Sequence, residues 1–403
     1  MALCPPRRYM VAIRSHIMVH EHALSHHCCA YWNWLGWSKG SQLSEESLFL
    51  LKFAVFIAIP AAMCLGLLIK IGGWQRAKKI LANSMLLVAS ISLALLAGEL
   101  AVRTTLGDIG TTGDGSSYFS QRWYRANPVR VNSLGFRERE VSPRPAPDVY
   151  RIAVVGDSFT FGQGLTEEAR FTNLLERKLN ADGLRYEALN FGRSGTETVD
   201  HIEILRDVVL GVNPDFILLQ WYINDMEGND HGGRPQYRRL IPSDVLSGHL
   251  FSHSALYYLL NLLWTQFQDK YRFGPGYTYS EYMVARFENA RGKDSLAARW
   301  ALNEFVDLCE RDGVSVGFVV FPDTAEELLG TYPLGFLLDR VKDVCEQRGI
   351  PCVDLRATFA DVHPASQLRV NRFDGHPGVL ANSLAAGEIM KTFAPIWERL
   401  RAR

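Results

Sequence analysis

The sequence predicts an α/β fold, a three-layer α/β/α sandwich around a parallel sheet, preceded by two transmembrane helices. Three observations carry that prediction. Two long uncharged apolar runs lie side by side near the N-terminus, short apolar runs alternate with helix-spaced segments after residue 150, and nothing like the early runs recurs downstream. Repeated strand–helix units imply parallel strands with helices on both faces.

With 403 residues the chain has room for one large domain or two moderate ones. Lys+Arg and Asp+Glu are equal at 43 each, so no net basic surface exists to release counterions from a polyanion. No nucleic-acid partner is expected. Residues 1–47 lack the single apolar core and cleavage site of a signal peptide. Their His16, His20, His22, His26, His27, Cys28 and Cys29 fit no zinc-ligand spacing, so no metal is expected there. The segment reads as an unstructured extension or as sequence upstream of the true start.

Residues 48–102 read as a transmembrane hairpin. Phe53–Ile69 carries no charge and is bounded by Lys52 and Lys70; Ile80–Gly98 is likewise uncharged and closed by Glu99 and Arg103. Each run is about as long as a helix needs to cross a ~30 Å hydrocarbon layer. Pro60 and Gly66 are tolerated in such helices. The connection holds Arg76, Lys78 and Lys79, and positive loops stay in the cytoplasm. The expectation is a two-pass protein of the cytoplasmic membrane with its following domain extracytoplasmic and the bilayer as a partner.

Residues 103–150 form a linker and lead-in. Gly107, Gly110, Gly113 and Gly115 give a flexible stretch, Pro143, Pro145 and Pro147 mark the approach to the first strand, and 131–137 between them reads as ordered. The domain proper is 151–403. Ile152–Val155, Tyr186–Phe191 and Phe216–Ile223 read as strands separated by helices at 167–180 and Ile202–Leu210. The third strand is nearly all apolar, as burial on both faces demands. An insertion at 226–295 contains an aromatic-rich helix around 253–264, suited either to roofing a site or to packing on the domain. Helix, strand, helix and strand follow at Leu296–Arg311, Val314–Phe321, Phe336–Arg348 and Pro351–Leu355, with a last helix over 380–401. Cys309, Cys345 and Cys352 are open to a disulfide or to free thiols.

Chemistry-bearing residues fall where the strands end, which is where sites form in such sheets. The first strand runs into Gly156-Asp157-Ser158, placing a serine on a strand-to-helix turn. The second ends in Asn190-Phe191-Gly192, where a glycine lets a backbone N–H approach a developing oxyanion. The third ends in Ile223-Asn224-Asp225, and Asp374-Gly375-His376 brings an imidazole and a carboxylate before the last helix. Asp157 and Asp225 read as braces of their turns.

Ser, Gly, Asn and His in that order resemble the SGNH/GDSL hydrolase family over residues 150–400, and Asn132-Ser133-Leu134-Gly135-Phe136-Arg137 resembles the lead-in of its membrane-anchored bacterial members. The resemblance implies a flavodoxin-like sandwich with parallel sheet. It also implies that His376 takes the proton of Ser158, which attacks an ester carbonyl while Ser158 N–H, Gly192 N–H and the Asn224 side chain hold the oxyanion. No cofactor enters that mechanism. One departure stands out: the family places its Asp three residues before the His, whereas Asp374 is two before, and in a helical turn those spacings point differently. Asp374 is still the carboxylate expected to orient His376. The function expected is an extracytoplasmic ester hydrolase removing acetyl or short acyl groups from a cell-surface glycan, or acting on another small ester. An O-acyltransferase acting on polysaccharide, a lysophospholipase and an inert surface-binding module are the alternatives.

Overall fold

The computed structural model describes residues 45–402 apart from 108, 111–115, 128, 229, 326 and 329, with side chains from 70 onward except at 71–73 and 77. The histidine- and cysteine-containing stretch 16–29 lies outside the described residues. A compact unit over Ser92–Arg403 carries the sheet.

Helix α1 (Glu45–Thr105) is continuous. The basic stretch expected to turn between two membrane spans is helical throughout, so the expected hairpin is not formed. Its residues explain this: no proline follows Pro60, and Gln75, Arg76, Ala77, Lys78 and Lys79 are strong helix formers that outweigh Gly72-Gly73. Among the described residues one stretch, Trp74–Thr105, is apolar and long enough to cross a membrane.

The linker holds an unforeseen helix, α2 (Tyr118–Ala126), whose N-cap Ser117 accepts the Ser120 N–H at 3.1 Å. Beyond it, the chain builds the sandwich. Strand β1 (Tyr150–Gly156) leads into the short helix α3 (Ser158–Phe161), α4 (Phe171–Leu179), β2 (Tyr186–Gly192), α5 (Thr198–Ile204) and β3 (Phe216–Trp221). The insertion supplies α6 (Asp244–His253), α7 (Ala255–Lys270) and α8 (Tyr279–Phe287). Then come α9 (Lys293–Arg311), β4 (Ser315–Val320), α10 (Gly335–Arg348), β5 (Cys352–Asp354), α11 (Arg356–Ala360), a two-stranded ribbon of β6 (Arg369–Asn371) and β7 (Asp374–Pro377), and α12 (Val379–Arg401).

Strands β1 to β5 form one parallel sheet in the order β2-β1-β3-β4-β5. Side chains of a strand alternate between faces, and the core divides accordingly. Ala153 and Val155 of β1 and Ile217 and Leu219 of β3 pack with α5, α9 and α10, whereas Ile152, Val154, Phe216 and Leu218 pack with α4 and α12. Trp397 and Phe393 of α12 stack at 5.5 Å and meet Phe216 on the sheet. Removing so large a buried ring typically costs ~3–5 kcal/mol. Chain direction across the sheet reverses between β1 and β3, and the crevice at such a switch point is where ligands bind. Cys309, Cys345 and Cys352 are free thiols.

Candidate active site

The serine turn is built from the strand ends outward. Asp157 caps α3, its Oδ1 accepting the Phe159 N–H at 2.8 Å, and Ser158 is the first residue of that helix. The helix lies directly on two glycines that pair across β1 and β2, Gly156 and Gly192. A Cβ at Gly192 would stand 2.2 Å from the Phe161 nitrogen, and one at Gly156 would stand 2.3 Å from Thr160 Oγ1. Gln220 on β3 braces the turn from beneath: its buried Oε1 accepts the N–H groups of Asp157 and Thr160, each at 3.2 Å, and the Thr160 hydroxyl at 2.8 Å. From the lead-in, buried Arg137 donates to the carbonyls of Gly162 at 2.9 Å and Leu165 at 2.7 Å. Burial beside Arg170 pulls the Arg137 pKa down to about 10. The turn is thus fixed on three sides, leaving the half-buried Ser158 at the crevice.

The imidazole arrives on β7. His376 Nε2 lies 2.9 Å from Ser158 Oγ, and His376 Nδ1 lies 2.6 Å from Asp374 Oδ1. With Nδ1–H facing the carboxylate, Nε2 is left to accept the serine proton. The two-residue spacing that departs from the family pattern has a simple geometric resolution. Asp374–Pro377 is a strand, not a helical turn, and residues i and i+2 of a strand share a face. Asn371 closes the ribbon by accepting the N–H groups of Phe373 and Asp374 at 2.8 and 3.0 Å. Asp374 is buried (side chain 1% exposed), whereas His376 keeps 19% of its surface open to the crevice. Tyr258 of α7 reaches this carboxylate, whose charge, after burial itself, pushes the phenol pKa up to about 12.

Gly192 departs from the expectation. Its N–H donates to Asn190 Oδ1 at 3.0 Å and the residue is buried within β2, so its role is to let α3 approach the sheet. This corrects its assignment as an oxyanion donor: the strand runs through Gly192, and the turn that follows carries the open backbone. In that turn Arg193 N–H donates to the Gly156 carbonyl at 3.0 Å and Ser194 Oγ to Gln163 Oε1 at 3.0 Å, holding it beside the serine turn. Gly195 lies there, exposed and at φ +77°, a conformation that favours glycine. Asn224 sits on the 3-10 turn Ile223–Met226 that follows β3.

Behind these residues lies a buried polar layer. Burial pushes the Asp157 carboxyl up to about 6, against the Phe159 N–H, the His376 charge and the amides of Gln220 and Asn224. Asp225 is raised well above the carboxylate range by burial and by Asp157; it accepts Tyr222 N–H at 2.8 Å and Thr198 Oγ1 at 3.1 Å. Both acids brace their turns, as expected. Deeper still, burial drives the His201 pKa down to about 3. Gln220 and His201 carry no motif in the sequence, and Arg137 is marked there only as the end of the 132–137 lead-in; the signal for Gln220 is one amide inside an otherwise apolar strand.

A second acidic group stands on the α5 side, where ligand atoms of Glu197, Glu227 and His231 lie within 4.8 Å of one another. Glu227 is already gripped by Arg234 at 2.8 and 2.6 Å and by the hydroxyls of Tyr279 and Tyr282 at 2.6 and 2.9 Å. A guanidinium supplies the positive charge there, and the group is a salt-bridge network.

No family model matches the chain, and no curated protein matches it. Among solved structures it is similar to an acetyl xylan esterase, AlAXEase, with 14% identity, a TM-score of 0.37 and coverage of 60% of this chain and 98% of the other. It is also similar to a lipase/acylhydrolase from Enterococcus faecalis (15% identity, TM-score 0.38, 62% of this chain and 96% of that one). A third is a member of the lipolytic protein G-D-S-L family from Veillonella parvula DSM 2008, with 13% identity, a TM-score of 0.37, and 61% and 98% covered.

Proposed function

We propose that the chain is a serine ester hydrolase of the SGNH/GDSL type, held at a membrane with its catalytic domain outside the cytoplasm. The observation that carries the proposal is the hydrogen-bonded row Ser158 Oγ, His376 Nε2, His376 Nδ1 and Asp374 Oδ1 at 2.9 and 2.6 Å. A serine hydroxyl is inert at neutral pH until a base takes its proton. In the proposed reaction His376 accepts that proton as Ser158 Oγ bonds to the ester carbonyl carbon. The buried Asp374 stabilises the resulting imidazolium, and collapse of the tetrahedral intermediate expels the alcohol with the proton from His376. Water, deprotonated by the same imidazole, attacks the acyl-enzyme and releases the acid and free Ser158. The oxyanion is assigned to Ser158 N–H, the Asn224 amide and, in place of Gly192, the Gly195 N–H. The turn pinned beside Ser158 and the open φ of Gly195 support that replacement.

The membrane reading rests on Trp74–Thr105 and on Arg76, Lys78 and Lys79 at the start of that stretch. With the helix continuous, those basic residues flank the N-terminal end of the apolar run, and the positive-inside rule still places the following domain outside. That location favours acetyl or other short acyl esters on a cell-surface glycan as substrates.

The test is a fluorophosphonate probe on the full chain. Ser158 becomes labelled, and Ser158→Ala abolishes both labelling and release of acetate from acetylated polysaccharide. Labelling that persists in Ser158→Ala overturns the mechanism; labelling without acetate release overturns the glycan assignment alone.

A further inference from the structure

Helix α7 begins where the apolar helix α1 ends. The Glu99 carboxylate accepts the N–H groups of Ala255 and Leu256, each at 2.9 Å, and the Ser254 hydroxyl at 2.7 Å. Arg103 pairs with Glu99 at 2.6 Å and donates to the His253 carbonyl at 2.9 Å. Leu256 packs so closely on α1 that a Cβ at Gly98 would lie 3.2 Å from its Cδ2. One face of α7 is buried: Ala255 and Tyr258 join Val102, Ile109 and Phe119, with Phe373 packed against them beside Asp374.

The other face is apolar and bare. Leu260, Leu263, Phe267 and Tyr271 are 40%, 42%, 45% and 60% exposed. With Leu256 they recur at steps of four, three, four and four residues, which is one stripe of a helix. The stripe starts at the contact of Leu256 with Gly98 and Glu99 of α1, a helix whose Leu93, Leu95, Leu96 and Leu100 are themselves exposed. Its far end is aromatic: Phe267 stacks on Trp264 at 5.5 Å and meets Tyr271 at 4.6 Å, and Lys270 stands over the Tyr271 ring at 5.4 Å. Tryptophan, tyrosine and lysine at the edge of an apolar face are what the headgroup layer of a bilayer favours.

We infer that α7 is an interfacial helix that seats the catalytic domain on the lipid surface. The inference rests on the membrane anchoring proposed above, and the continuity of the stripe with the anchoring helix is what selects lipid as its occupant. The buried face of the same helix touches the Asp374 ribbon, so the catalytic pair stands about one helix diameter, ~10 Å, from that surface. The enzyme therefore works on esters displayed close to the bilayer.

The test uses the full chain in phosphatidylcholine vesicles, photolabelled with an aryl diazirine dissolved in the bilayer and mapped by peptide. Adducts are expected both within 80–100 and at Leu260, Leu263, Phe267 and Tyr271. Leu263→Glu with Phe267→Glu should cut adducts over 255–273 about tenfold while leaving those within 80–100 unchanged. Adducts within 80–100 alone overturn the seating and leave the anchoring intact; adducts in neither place overturn both. A stripe without adducts that cross-links to a second copy overturns lipid in favour of self-association.

Discussion

The domain contains two constellations of the same kind, and only one lies open. At the crevice His376 stands between Asp374 Oδ1 at 2.6 Å and Ser158 Oγ at 2.9 Å. Inside, His201 stands between Asp225 Oδ1 at 3.5 Å and Thr196 Oγ1 at 3.1 Å. Acid, imidazole and hydroxyl occur in the same order in both. The inner His201 and Asp225 side chains are 0% exposed, and burial holds His201 neutral far below its ordinary range. At 3.5 Å its carboxylate is beyond good hydrogen-bond distance. The pair teaches that residue types alone do not separate a candidate site from a structural cluster; a short orienting contact and an open hydroxyl do.

The comparison can be broken most directly at the two carboxylates. Asp374→Asn should lower kcat for an aryl ester by about 10⁴, because an amide no longer holds the imidazole in the tautomer that leaves Nε2 free or stabilises its cation. Asp225→Asn should leave kcat essentially unchanged and move thermal stability instead. A large kcat loss in the second variant would mean that the inner constellation takes part in catalysis. Next in size, Asn224→Ala removes one assigned oxyanion donor and should cost ~2.7–4 kcal/mol of transition-state stabilisation, read in kcat with KM little changed. A KM effect alone would assign Asn224 to substrate binding.

The smallest effect is on stability. His201 has a folded pKa near 3 against an ordinary value of 6.5, so the unfolded chain takes up the proton first. Its contribution is fully present above pH 6.5 and is lost as pH falls from there toward 3, about 2 kcal/mol by pH 5. Unfolding of His201→Gln should lack that part of the acid sensitivity. An unchanged pH dependence in denaturant titrations would show that His201 is hydrated in the folded protein.

Much of this was legible in the residues. Strands β1 to β5 follow from short apolar runs ended by turn residues, and Ser158 and His376 from their order along those strand ends. Asp374 was harder, because a spacing of two is meaningful only once the local period is known, and the three- and four-residue strands of the β6–β7 ribbon are too short to show one. Gly192 and Gly195 differ by three positions within one Gly-rich turn. Which of them packs against α3 and which lies exposed in the turn depends on where β2 stops. The continuous α1 departs from the expected hairpin because charged residues between apolar runs mark a loop to the membrane but are good helix formers to the backbone.

The contact between Glu99 and α7 also decides where the sheet-bearing unit begins. A boundary drawn just after the apolar run, near residue 103, would keep every strand and every assigned catalytic group. It would nonetheless remove the acceptor for three donors at the start of a helix 156 residues downstream, a cap of a kind typically worth ~1 kcal/mol. It would also bare Tyr258 and Phe119, which pack on Val102. Residues 92–105 therefore belong with the sheet-bearing unit, although they continue the apolar helix. A water-soluble form is better made by starting the chain near Ser92 and changing Leu93, Leu95, Leu96 and Leu100 to polar residues than by cutting after residue 103.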